Sequence, residues 1–141
     1  MTRVIVDASV LTAALMADGN ARHALLHSQE IEFVVPAFIF EEVEENMGRI
    51  VSRTGLPTGV IVALIEDIRS MIEVVPRGAY AEALDEAGIV AERAGASGDE
   101  DYVALALTSK APIWSYDLDF ARMPTIRRIS TGEITEMGAG G

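Results

Sequence analysis

The sequence predicts an α/β fold in which a parallel sheet is covered on both faces by helices. Two observations carry that reading. Short apolar runs alternate with helical stretches from one end of the chain to the other, the order that buries a sheet between helices. The first run, Val4-Ile5-Val6, is β-branched and continuous rather than alternating, which suits a strand buried on both faces. With 141 residues, 50% of them apolar, there is material for one core and too little for two ordinary domains. A single domain over residues 1–135 with a flexible tail over 136–141 is expected.

Each element follows from local chemistry. After Asp7 closes the first strand, residues 9–16 read as a helix, Asp18-Gly19-Asn20 as a turn, and residues 21–26 as a short second helix. Phe33-Val34-Val35 is the next strand candidate, closed by Pro36, a residue tolerated at a helix start because its missing N–H has no partner there. A long helix is expected over 37–53, since Phe40, Val43, Met47, Ile50 and Val51 recur at helical spacing while Glu41, Glu44, Glu45 and Arg49 fall elsewhere. Thr54-Gly55-Leu56-Pro57 breaks it. Residues 58–72 resume as a helix with more apolar surface than one core face requires. Val74-Val75-Pro76 fits a third strand or an extended link. Residues 80–94 are helical by composition and end at Gly95. Ser97-Gly98-Asp99 opens another helix packed through Val103 to Leu107. Residues 112–115 and 126–129 are the last strand candidates, and 138–141 a loose tail.

Several classes are excluded by composition. There is no cysteine, so neither a disulfide framework nor a thiolate metal site can form. A charge at Asp7 interrupts the opening apolar residues, unlike a secretory signal, and no apolar run approaches membrane-spanning length. A soluble cytoplasmic protein without membrane partners is expected.

In open parallel sheets ligands bind beyond the carboxyl ends of the strands. Asp7 closes the first strand directly, and Asp117 follows Ile113-Trp114-Ser115 after a two-residue step. Two carboxylates placed there repel each other unless protonated or neutralised by a cation, and a hard divalent ion such as Mg²⁺ takes oxygen ligands while keeping waters for chemistry. Glu42, early in a long helix, and Asp99, at a helix start, are the helical candidates for the same rim. Set against this, Asp99 after Ser-Gly is also a natural N-cap, and Glu42 beside Glu41, Glu44 and Glu45 also fits a solvated acidic face.

Four segments decide between these readings: Val4-Ile5-Val6-Asp7-Ala8-Ser9-Val10-Leu11, Pro36-Ala37-Phe38-Ile39-Phe40-Glu41-Glu42-Val43, Asp99-Glu100-Asp101-Tyr102-Val103-Ala104-Leu105-Ala106-Leu107 and Ile113-Trp114-Ser115-Tyr116-Asp117-Leu118-Asp119-Phe120. In order and content they resemble the four acidic motifs of PIN domains, over nearly the whole chain through Ile129. The second motif is less similar to that of common VapC-type toxins than to solitary PIN proteins.

The resemblance implies a three-layer α/β/α fold with a mostly parallel sheet of about five strands and a Mg²⁺- or Mn²⁺-dependent ribonuclease site. Asp7, Glu42, Asp99 and Asp117 correspond to the four catalytic acids, with Asp7, Asp99 and Asp117 as the direct metal ligands. Ser9 and Ser115 match hydroxyls that steady the site, Asp101 and Asp119 are supporting carboxylates, and Glu41 competes with Glu42. RNA is the implied substrate and a homodimer the implied assembly. A second hypothesis is a toxin of a toxin–antitoxin pair, with a small antitoxin bound along the apolar helix around Val60 to Met71. Alternatives are a catalytically silent PIN-fold interaction module and a phosphatase-like enzyme with Asp7 as nucleophile, for which Ser9 stands where a second Asp is expected.

The formal net charge of −11, from 22 acidic and 11 basic residues, opposes binding of a polyanion. A bound divalent ion reverses the local sign, and Arg122, Arg127 and Arg128 are candidate phosphate contacts. His23 and His27 share a helical face and lack an evident third ligand. Trp114 is expected in the core or a site wall, and Met16, Met47 and Met71 in helical packing.

Overall fold

The computed structural model describes residues 1–140, and its strands are β1 (Thr2–Val6), β2 (Ile31–Pro36), β3 (Glu73–Val75), β4 (Ile113–Trp114) and β5 (Arg128–Ile129). They form one sheet in the order β3-β2-β1-β4-β5, with every neighbouring pair parallel. Val4, Ile5 and Val6 are buried, as are Phe33, Val34 and Val35, so the two long strands are apolar on both faces because helices cover both. The chain steps outward from β1 through β2 to β3, then returns to the other side of β1 as β4. The crevice between β1 and β4 is therefore the point where strand order reverses, the usual position of a ligand site in such sheets.

The helices are α1 (Ala8–Met16), α2 (Asn20–His27), α3 (Ile39–Glu45), α4 (Met47–Thr54), α5 (Thr58–Arg69), α6 (Leu84–Arg93), α7 (Glu100–Ser109) and α8 (Thr131–Gly140). On one side α1 packs against α2, α3, α4 and α5, and α2 against α8; on the other, α6 packs on α7, which lies across β1 and β2. The result is the three-layer α/β/α arrangement, with a core that runs from β1 and β2 into these helices.

Four elements differ from the sequence reading. Pro36 ends β2 instead of opening a helix, and α3 begins at Ile39. The helix expected over 37–53 is broken at Asn46, whose backbone leaves helical geometry at φ −93 and ψ 2. Its side chain donates to the Glu42 carbonyl at 2.9 Å, one of the local bonds by which asparagine competes with helix continuation. The expected helix over 80–94 starts only at Leu84, preceded by 3-10 turns at Arg77–Ala79 and Ala81–Ala83. Residues 136–140, expected as tail, belong to α8; Gly141 lies outside the described residues. That helix is held by the burial of Ile134 and by a reciprocal cap at its start. The Glu133 amide donates to Ser130 Oγ at 3.2 Å, and the Glu133 carboxylate accepts from the Ser130 amide at 3.2 Å. Ser130-Thr131-Gly132-Glu133 is the capping-box pattern, legible in the sequence and overlooked there.

Trp114 is fully buried, tilted against Phe33 with ring centroids 5.5 Å apart, and its indole donates to Thr131 Oγ1 at 3.0 Å. It is a core residue with a satisfied N–H, closed to base stacking. Met71, expected in helical packing, lies beyond the end of α5 and is exposed. Among the described residues no helix is long and apolar enough to cross a membrane.

Replacing Ser130 by Ala removes the cap at the start of α8 and is expected to cost about 1 kcal/mol, read as a lower urea midpoint with an unchanged slope.

Candidate active site

Each strand of the central sheet ends on the same edge, and the acids of the four motifs gather there. Asp7 follows β1 and occupies the N-cap position of α1. Its Oδ1 accepts from the Val10 amide at 3.1 Å and from Ser9 Oγ at 2.7 Å, and its Oδ2 accepts from the Ser115 hydroxyl. Both hydroxyls are themselves fixed from the β4 side: Ser9 Oγ accepts from the Tyr116 amide at 3.1 Å, and Ser115 Oγ from the Asp117 amide at 2.8 Å. The loop after β4 is thereby tied to the start of α1 through one buried carboxylate.

Asp117 caps the turn Leu118–Arg122, accepting from the Asp119 amide at 2.9 Å. Asp99 stands at the N-cap position of α7 and makes no capping hydrogen bond, so its carboxylate is left for another use. The chain reaches it through Gly98, whose φ of +107 is a conformation that side-chain-bearing residues rarely adopt. Glu42 projects from α3, where Tyr102 Oη donates to its Oε1 at 2.8 Å. Tyr102 lies three residues beyond Asp99 and thus on its face of the helix start, a spacing that was visible in the sequence and went unused.

The electrostatics show that the four acids share one environment. Burial pushes the Asp99 carboxyl up to about 7, and the negative charges of Asp117, Asp7, Glu42 and Asp119 add to the rise. Asp7 is also raised, chiefly by burial, against the opposing hydrogen bonds of Ser115, Ser9 and Val10. Glu42 is raised by burial, with the Tyr102 hydrogen bond opposing and the charge of Asp7 adding. Tyr102 in turn is held well above the ordinary phenol value by burial and by Glu42. Glu41, the competitor for the second acid, is exposed and lines a separate open groove with Ala37, Phe38, Arg77 and Asp101.

The supporting carboxylates part company. Oxygens of Asp99, Asp117 and Asp119 all lie within 4.8 Å of one another, which brings Asp119 into the centre of the cluster. Asp101 stands outside that trio, bound by the Tyr80 hydroxyl and paired with Arg77 Nε at 3.3 Å, while its charge still adds to the rise of Glu42. Asp7 lies close enough to raise Asp99 and outside that tightest trio. Of the three candidate arginines, only Arg122 reaches this edge, through Asp119. Arg127 and Arg128 sit where β5 begins, at the opposite end of the sheet. His23 and His27 stack 4.5 Å apart on α2 beside Ser28, Thr135 and Gly138, and the acidic trio is the only group with metal-ligand spacing among the described residues.

The sequence matches the PIN domain family over residues 5–132. The chain belongs to the PIN-domain family. Solved structures agree on the PIN fold: VapBC2 from Rickettsia felis bound to a DNA fragment from their promoter matches with a TM-score of 0.69 at 12% identity, covering 92% of this chain and 98% of that one. PAE2754 from Pyrobaculum aerophilum matches with a TM-score of 0.68 at 17% identity, covering 98% and 90%. No curated protein resembles the chain closely enough to be matched.

The donor set of this PIN domain fits a hard divalent cation. Every candidate ligand is a carboxylate oxygen, three converge within 4.8 Å, and the charge that raises Asp99 is the charge a cation neutralises.

A carboxyl raised in the folded state from 3.8 to about 7 binds its proton more tightly there than in the unfolded chain. Its favourable contribution is complete below the unfolded value and is lost as pH rises through about 7. The metal-free protein is therefore expected to lose thermal stability between those two values. Asp99→Asn should flatten the decline, and millimolar Mg²⁺ should raise the melting temperature at neutral pH, as calorimetry across pH will show.

Proposed function

We propose that this PIN domain is a Mg²⁺- or Mn²⁺-dependent endoribonuclease acting in the cytoplasm. The observation that carries the reading is the convergence of Asp99, Asp117 and Asp119 within 4.8 Å, in a charge environment shared with Asp7 and Glu42. In this reading Asp99 and Asp117 hold the ion directly, joined by Asp7 and supported by Asp119. When bound, such an ion would make a coordinated water more acidic and would stabilise charge on the phosphoryl oxygens.

The remaining work falls to the chain itself. Ser9 and Ser115 hold Asp7 by both oxygens, so its orientation is set before substrate arrives. Glu42, steadied by Tyr102 and raised by burial, is placed to orient the attacking water and accept its proton. A phosphatase-like role is disfavoured because Ser9 stands where that chemistry expects a second Asp.

A toxin role is a second reading, favoured by one observation. On α5, Val60 and Val62 stand 48% and 44% exposed while Ile61 and Ile68 are buried, so the helix keeps apolar surface beyond what its core contact uses. A small antitoxin is the partner this reading names, and a homodimer the alternative cover for the same surface. A purified complex or a concentration-dependent mass separates them.

Asp7→Asn is expected to abolish cleavage of RNA with the far-ultraviolet circular dichroism retained; full metal-dependent cleavage by that variant would remove Asp7 from the site, and no cleavage by the unmodified protein with either metal would favour a silent module. Chelation should stop the reaction and added Mg²⁺ or Mn²⁺ restore it. Tyr102→Phe keeps the ring in place and removes the bond to Glu42, with an expected loss in rate of about 10- to 100-fold.

A further inference from the structure

The ends of the acidic row are marked by arginines. Two ion pairs join an arginine to a carboxylate of the site's motifs: Arg77 with Asp101, at 3.3 Å, and Arg122 with Asp119. Arg77 opens the 3-10 turn just past the carboxyl end of β3, and Arg122 closes the turn that follows Asp117 after β4. Because the sheet order is β3-β2-β1-β4-β5, the same edge carries in succession Arg77 beyond β3, Glu42 beyond β2, Asp7 beyond β1, Asp117 beyond β4, and then Arg122 on the way to β5. The strands from which these two turns leave are three to four spacings apart along the edge, roughly 14–19 Å, the reach of a few nucleotides.

Both side chains are built to hold an anion. Arg77 is 69% exposed and Arg122 58%. Arg77 contacts Asp101 through Nε, and Arg122 contacts Asp119 and the Ala94 carbonyl through Nη2, which leaves further donors of each planar fork for phosphate oxygens. Their carboxylate partners are themselves anchored, Asp101 by the Tyr80 hydroxyl and Asp119 by its place at the head of a turn capped by Asp117. Each fork is thus aimed before any ligand arrives. In a chain of net charge −11, the remaining N–H donors of these two guanidinium groups offer phosphate contacts where the overall field opposes a polyanion.

We propose that Arg77 and Arg122 are the phosphate contacts at the two ends of a track along which a single strand of RNA crosses the carboxyl edge of the sheet, at right angles to the strands. This extends the nuclease reading and rests on it for the identity of the strand. Asp101 is then a positioning residue for Arg77. The open groove of about 450 Å³ lined by Ala37, Phe38, Glu41, Arg77 and Asp101 lies at the Arg77 end and takes the base beside that phosphate.

The test measures binding of a short fluorescein-labelled single-stranded RNA as a function of salt, with Mg²⁺ present, on an Asp7→Asn background, or on Asp99→Asn should the first not fold. Arg77→Gln and Arg122→Gln are each expected to weaken binding about threefold to tenfold at low salt and to reduce the slope of log K against log salt by roughly 0.7, the double variant by both together. Arg77→Lys and Arg122→Lys should keep the slope, and Arg127→Gln, at the opposite edge, should leave it unchanged. Slopes unaltered by the Gln variants, or lowered equally by the Lys variants, would overturn the track. Absence of cleavage by the unmodified protein alongside arginine-dependent binding would instead overturn the nuclease reading and leave the track standing.

Discussion

The arrangement at this edge depends on the buried carboxylate of Asp7. It accepts three hydrogen bonds, from Ser9, Val10 and Ser115, and the two serine hydroxyls pass the connection on to the amides of Tyr116 and Asp117. One side chain thus ends β1, starts α1 and binds the loop after β4. Charge-assisted bonds of this kind are stronger than neutral ones and lose the most when one partner is removed. The short pairing of β4 with β1, through Ile113 and Trp114 alone, gains from this link an anchor that its two residues cannot supply.

The same edge is where the molecule carries its greatest electrostatic conflict. Asp99 is pushed up to about 7 by burial and by four neighbouring negative charges, and Asp7 and Glu42 are raised with it. A fold selected for stability alone has no use for such crowding, whereas a site that must attract a cation does. The conflict is contained by aromatic hydroxyls at its margin. Tyr102 donates to Glu42 and Tyr80 to Asp101, and burial together with those carboxylates keeps both phenols protonated. Cations are distributed with the same logic: Arg77 and Arg122 flank the acids, while Lys110 and Arg127 line a groove with Pro112 at the far end of the sheet.

The break at Asn46 has a structural consequence for Glu42. By closing α3 at Glu45, Asn46 separates it from α4, which buries Ile50, and the short helix that carries Glu42 is steadied at the rim by Tyr102. A continuous helix over 37–53 would have had one orientation for both tasks. Val43 and Ile39 bury the inner side of α3, and Glu42, adjacent to Val43, is left at the rim.

The sequence alone determined the parallel α/β class, because strands buried on both faces must be written as continuous apolar runs such as Val4-Ile5-Val6, and it determined which four acids to inspect, because their motifs occur in order. It also held the capping box at Ser130 and the Asp99–Tyr102 spacing, local patterns that need no tertiary information to read. What only the folded chain decided is which carboxylates meet. Asp101 and Asp119 look equivalent along the sequence, yet one pairs with Arg77 outside the trio and the other joins Asp99 and Asp117 within 4.8 Å. Contacts between residues far apart in the chain depend on strand order and on the angle at which each helix leaves the sheet, and neither is encoded in the spacing of neighbouring residues.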